Sequence, residues 1–85
     1  MISKNELSKL YLRCENSFKI IKDKMKEESV NLNEIKFKNL EKLSEINMTY
    51  LVFLSEIAND EKKRYIVDDE YIKIIENFCK SIESF

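Results

Sequence analysis

No glycine and no proline occur anywhere in these 85 residues. Turns that need positive φ and backbone that must approach a phosphate both favour glycine. Turn-rich β folds and Gly-rich nucleotide loops are therefore disfavoured together. Lys, Glu, Leu and Ile dominate, and these are good helix formers or common core residues. The chain reads as a single all-α domain over residues 1–85.

Three places carry a helix start. In "ISKNEL", Ser3 can cap, Glu6 can reach back, and Ile2 can touch Leu7: a capping box with a hydrophobic staple. In "VNLNEI" the pattern recurs with Asn31 as cap, Glu34 at the box position, and Val30 and Ile35 as the staple. In "VDDEYI", Asp68 caps, Val67 and Ile72 form the staple, and Asp69 and Glu70 suit the positive helix end.

These starts predict a first helix near residues 4–28, a second near 32–64 and a third near 69–84. The first has a heptad seam of Leu7, Tyr11, Cys14, Phe18, Ile21 and Met25. The third has Tyr71, Ile75, Phe78, Ile82 and Phe85. The second carries two stripes. One is Leu43, Ile46, Tyr50, Phe53 and Ile57. The other is Phe37, Leu40, Ser44, Asn47, Leu51, Leu54 and Ala58. A helix with two apolar stripes packs against two neighbours. The expected architecture is a three-helix antiparallel bundle with a long central helix. The alternative is a four-helix bundle with the central helix broken near Asn47.

Folding the helices back through short turns places "YLVFL", residues 50–54, where the outer two overlap on the central one. In that register Cys14 and Cys79 lie roughly 12 Å apart along the axis, too far for a disulfide. They read as buried, inert thiols. The first hairpin's end is left with two helices only. Self-association through Ile20, Phe37 and Leu40, most simply as a homodimer, is expected there. Tyr65, flanked by Arg64 and Ile66, belongs to no seam and reads as an exposed anchor for a partner.

The sequence has no histidine, so Ser–His and Cys–His pairs are impossible. Two cysteines are too few for structural zinc. Glu41 and Glu45 share a helix face, as would Glu56 and Asp60. However, the "EExxE" then "ExxD" arrangement of all-helical nucleotide pyrophosphatases fails at two points, in "EESVN" and in "EIAND". No catalytic residue, metal site or cofactor is predicted.

Net charge is −1, but residues 1–40 hold 9 basic and 6 acidic side chains, leaving 6 basic and 10 acidic in the rest. Lys19, Lys22, Lys26, Lys36 and Lys38 gather around the first hairpin in sequence. They define an alternative reading, an oligomeric nucleic-acid or nucleotide binder. Acids interleave with them, and only two Arg are present to grip phosphate bidentately. No apolar run approaches a membrane span, and no export signal is recognisable. The expectation is a cytoplasmic, non-enzymatic protein-binding inhibitor or adaptor, without membrane contact. Immunity proteins, antitoxins and phage anti-defence (anti-CRISPR-like) proteins are of this kind. The abundance of residue types with A/T-rich codons suits a phage or mobile element.

Overall fold

The computed structural model describes residues 1–85. It has four helices and no strand: α1 (Lys4–Val30), α2 (Glu34–Ala58), α3 (Glu61–Ile66) and α4 (Asp69–Glu83). The all-α expectation holds. The long helices α1, α2 and α4 run up, down and up. Met1 sits by Asp69 and Arg13 by Glu83, so α4 runs parallel to α1 and antiparallel to α2. The molecule is a rod of 46 × 18 × 18 Å with a radius of gyration of 14.2 Å. A spherical domain of this length would have about 12 Å.

The first helix starts as its sequence demands. Ser3 Oγ accepts from the Glu6 amide at 3.1 Å, and Ile2 and Leu7 are both buried in the main core. Asp68 likewise caps α4, accepting from the Glu70 amide at 2.9 Å. The second start differs from expectation. Asn31 ends α1 instead, and Asn33 caps α2 by accepting from the Lys36 amide. Val30 and Ile35 are exposed and form no staple. The reason is how α1 stops. The Leu32 amide donates to Ser29 and the Asn33 amide to Glu28, with Leu32 at φ 56°. This is a Schellman motif, with leucine at the position that glycine normally fills.

The central helix ends early. It breaks at Asn59–Asp60, not near Asn47, and α3 takes up residues once expected to continue it. Asp60 caps α3 by accepting from the Lys62 and Lys63 amides. Of the cations expected at a helix end, Lys63 and Arg64 lie in the last turn of α3, while Lys62 lies at its start.

This break moves α4. Tyr71 packs on Phe53 and Tyr50, with ring centroids 4.7 and 6.0 Å apart, and Phe78 packs on Tyr50 at 5.3 Å. The sequence register had put Tyr71 near residue 61. The helix is displaced by about two turns toward the first hairpin. The register of α1 on α2 needed no such correction: the Asn47 side chain reaches the Cys14 carbonyl at 2.9 Å. In "YLVFL", Leu51 and Leu54 are buried and Tyr50 and Phe53 meet α4, while Val52 points outward.

Candidate functional site

The main core joins Leu7, Leu10, Cys14, Leu51, Leu54, Ile57, Ile75 and Cys79, among others. A second, smaller core joins Ile21, Met25 and Ile82. Ile20, Phe37 and Leu40, expected at an unpaired hairpin end, pack against this second core and are half-buried. The displaced α4 brings Ile82 to them. What stays open at the hairpin is its tip, where Val30, Leu32 and Ile35 face outward.

Arg64 is buried, contrary to its expected role as an exposed anchor. Its guanidinium donates to the Ala58 carbonyl at 2.9 Å and, at 3.5 Å, to Ile57. The end of α2 gives the Ala58 carbonyl no backbone donor, while the Ile57 carbonyl also accepts from the Asp60 amide at 3.4 Å. A cation at a helix C-terminus also meets the negative end of the dipole. Arg64 therefore holds α3 against α2 and sets the angle at which α3 presents its other residues. Tyr65 and Ile66 then project from the rod, 71% and 79% exposed.

Beside them lies a groove of about 370 Å³ lined by Phe53, Ile57, Ile66, Val67 and Tyr71, with Glu56, Lys63 and Asp68 among them. From this groove a strip of apolar surface continues along the seam of α2 and α4. The rings of Phe53, Tyr71, Tyr50 and Phe78 follow one another edge to face, all half-buried. Ile46 (41% exposed), Ile74 (51%) and Phe85 (53%) flank them. At the far end Phe85 shares a groove with Leu40 and Leu43 and with Lys24, Glu28 and Lys36. Bulky rings keep the two backbones apart, so the seam cannot close over them. Aromatic residues are enriched at the core of protein interfaces.

A further groove of about 520 Å³, between α1 and α2, is lined by Leu7, Tyr11, Leu12, Leu54 and Ala58, with Lys4, Ser8, Ser55 and Asn59 among them. It has one ring where the other face has four.

The lysines do not converge. Lys19, Lys22 and Lys26 are exposed on α1, spaced three and four apart on one face. Lys36 and Lys38 are two apart on α2 and therefore diverge. Lys36 lines the groove with Phe85, whereas Lys38 lines another with Glu28 and Glu34. Lys22 lies over the Phe18 ring at 5.2 Å, and Lys24 pairs with Glu27. No three His, Cys, Asp or Glu side chains form a group that could hold a metal ion. No helix is long and apolar enough to cross a membrane.

The most polar part of the interior lies where α1 meets α2 and α4. Asn47, Ser17, Cys14 and Cys79 are all fully buried. Asn47 Oδ1 and Ser17 Oγ have no hydrogen-bond partner. Cys14 Sγ and Cys79 Sγ lie 3.4 Å apart. This overturns the predicted separation of the two thiols, because that estimate assumed an unbroken central helix.

Sequence reasoning assigned Tyr50, Phe53, Tyr71 and Phe78 to buried seams and passed over Ile74. The missed signal was size. Four rings on two facing seams exceed what one shallow helix pair encloses. Comparison with family models, curated proteins and solved structures returns no match.

Proposed function

We propose that this chain is a small non-enzymatic protein-binding inhibitor or adaptor, acting in the cytoplasm. In this reading the α2/α4 face and the Tyr65–Ile66 ledge engage a folded protein target. The supporting observation is the aromatic strip left open along that seam. Its rings are already ordered by one another, so a partner gains contact area at little cost in side-chain entropy. The face of a 46 × 18 Å rod offers roughly 800 Å², the share one partner gives to a standard interface. A role of the immunity-protein, antitoxin or anti-defence kind needs no more than such a stoichiometric mask.

The test compares two baits, the native chain and Ile74→Glu, in the host lysate. Ile74 is exposed enough that the substitution leaves the fold intact, which circular dichroism checks. A target captured by the native bait, reconstituted and titrated, should saturate at fixed stoichiometry. Its affinity for Ile74→Glu should fall at least tenfold, while Lys19→Glu should have little effect. Equal capture by both baits would remove this surface from consideration.

A second copy of the chain is the other reading. Lys42 precedes Ile46 by four residues and Glu70 precedes Ile74 by four, so each shares its isoleucine's helix face. Because α2 and α4 are antiparallel, the two charges lie toward opposite ends of the strip. A two-fold pairing would set each Lys42 beside the partner subunit's Glu70, as isologous contacts require. Light scattering then gives twice 10.2 kDa. Lys42→Glu should dissociate the dimer, and adding Glu70→Lys should restore it. A monomer at high concentration would end this reading.

A further inference from the structure

We infer that Cys14 and Cys79 form a redox latch, in which oxidation by a peroxide joins their sulfurs and fastens α4 to α1. These are the only cysteines in the chain. They sit on parallel neighbouring helices with their sulfurs 3.4 Å apart. A disulfide is about 2.0 Å long, so bond formation needs a small approach of the two side chains rather than any refolding.

The placement gives the bond a consequence. Polar contacts between α4 and the N-terminal part of the chain lie at the ends of the shared stretch. One is the chain's amino group with Asp69 at 3.8 Å, and the other is Arg13 with Glu83 at 2.8 Å. Both pairs are partly exposed. The thiols lie between them in the dry interior. Cys79 lies one turn before Glu83, so a bond there adds a covalent hold beneath the partly exposed Arg13–Glu83 pair, where packing and the sulfur–sulfur hydrogen bond act otherwise. Because α4 supplies Tyr71, Ile74 and Phe78, the latch also fixes one wall of the aromatic face.

The surroundings distinguish the two sulfurs. The hydrogen bond shared with Cys14 lowers the Cys79 thiol below the ordinary range, with Arg13 acting in the same direction and burial and Glu83 against it. The same sulfur–sulfur bond, with burial, raises Cys14. Cys79 is therefore the nucleophile. Its thiolate attacks one peroxide oxygen and the O–O bond breaks. Cys79 becomes a sulfenic acid, and the other oxygen leaves as water after taking a proton. Cys14 then gives up its proton, and its sulfur displaces hydroxide from Cys79. The hydroxide leaves as a second water. Two thiols and one peroxide become one disulfide and two waters, with two electrons passing from sulfur to oxygen. Both thiols are fully buried, so peroxide enters when α4 transiently lifts.

The reduced full-length chain, treated with hydrogen peroxide at stoichiometric ratio in native buffer, tests this. Intact mass should fall by two hydrogen atoms, with both free thiols lost together and no covalent dimer. Peptides carrying Cys14 and Cys79 should be joined, and the urea midpoint should rise and return on reduction. Cys14→Ser, treated with peroxide and dimedone, should carry the adduct on Cys79. Oxygen addition to the native chain without loss of hydrogen, or cross-linking between chains, would overturn the proposal. So would a closed disulfide that leaves the urea midpoint unchanged. The mass readout on the native chain needs no variant to fold.

Discussion

Leu32 shows what the missing glycine costs. It holds a left-handed backbone conformation while its side chain is 86% exposed. A non-glycine residue there bears about 1–2 kcal/mol of strain. Glycine relieves it but loses more entropy on folding, offsetting part of the gain. Leu32→Gly is expected to stabilise the chain by about 0.5–1 kcal/mol, measured by urea denaturation. Asn47 poses a different residue-scale problem. Its amide donates into α1, yet its Oδ1 is buried without a partner. Removing both polar ends is cheaper than leaving one orphaned. Asn47→Leu should therefore fall within about 1 kcal/mol of the native chain, or be more stable. Asn47→Asp buries a charge beside the Cys14 carbonyl and should cost about 3 kcal/mol or more. If both substitutions destabilise equally, the bond from the Asn47 amide to the Cys14 carbonyl, which both remove, governs the site. Both positions were visible in the sequence, Asn47 as a polar residue on an apolar stripe and Leu32 beside a helix boundary. Their consequences depend on backbone angle and on burial, which no residue type encodes alone.

At the scale of elements, α3 decides most. It has six residues, too few to persist alone, and is held by the Asp60 cap below and by Arg64 above. Charge-assisted hydrogen bonds to backbone contribute about 1.5–3 kcal/mol each. Arg64→Ala should thus cost about 2 kcal/mol. It should also release the amides of residues 61–66 to exchange far faster than those of α1, as hydrogen exchange would show. Uniform protection across the chain would mean that packing alone holds α3. The first and last helix starts were legible because Ser3 and Asp68 each combine a cap with a neighbouring apolar pair. The end of α2 was not. "NDEKKR" has a strong cap in Asp60, but the run of cations after it also suits an uninterrupted helix. Local propensity balances the two, and the buried contacts of Arg64 favour the break.

For the whole molecule, the displacement of α4 by that break carries the functional conclusions. It closes Ile20, Phe37 and Leu40 into the second core, stacks the rings of the α2/α4 face, and brings Cys14 against Cys79. The thiols are 65 residues apart in sequence. In the chain-entropy model, closing such a loop stabilises the fold by roughly 4 kcal/mol. For a domain of this size that is a large fraction of the usual 5–15 kcal/mol. Oxidised and reduced chains should therefore differ clearly in equilibrium denaturation, and coincident curves with the disulfide closed would overturn the latch. The rod shape also matters for measurement. An elongated monomer elutes early from a sizing column, so scattering mass rather than retention volume decides between one chain and two.

The sequence by itself determined the helical class, the first and last helix starts, the register of α1 on α2 and the two-sided role of residues 50–54. Each of these follows from local rules: composition, capping and hydrophobic period act within a few residues of one another. Tertiary structure alone decided where α2 ends, how far α4 slides, which aromatic rings stay open and which thiols meet. Those outcomes depend on contacts between residues distant in sequence, and a shift of two helical turns costs little in local propensity. The difference lies in burying Arg64, Ile82 and the two sulfurs together, a sum of packing and hydrogen-bond energies that exists only once the helices are assembled.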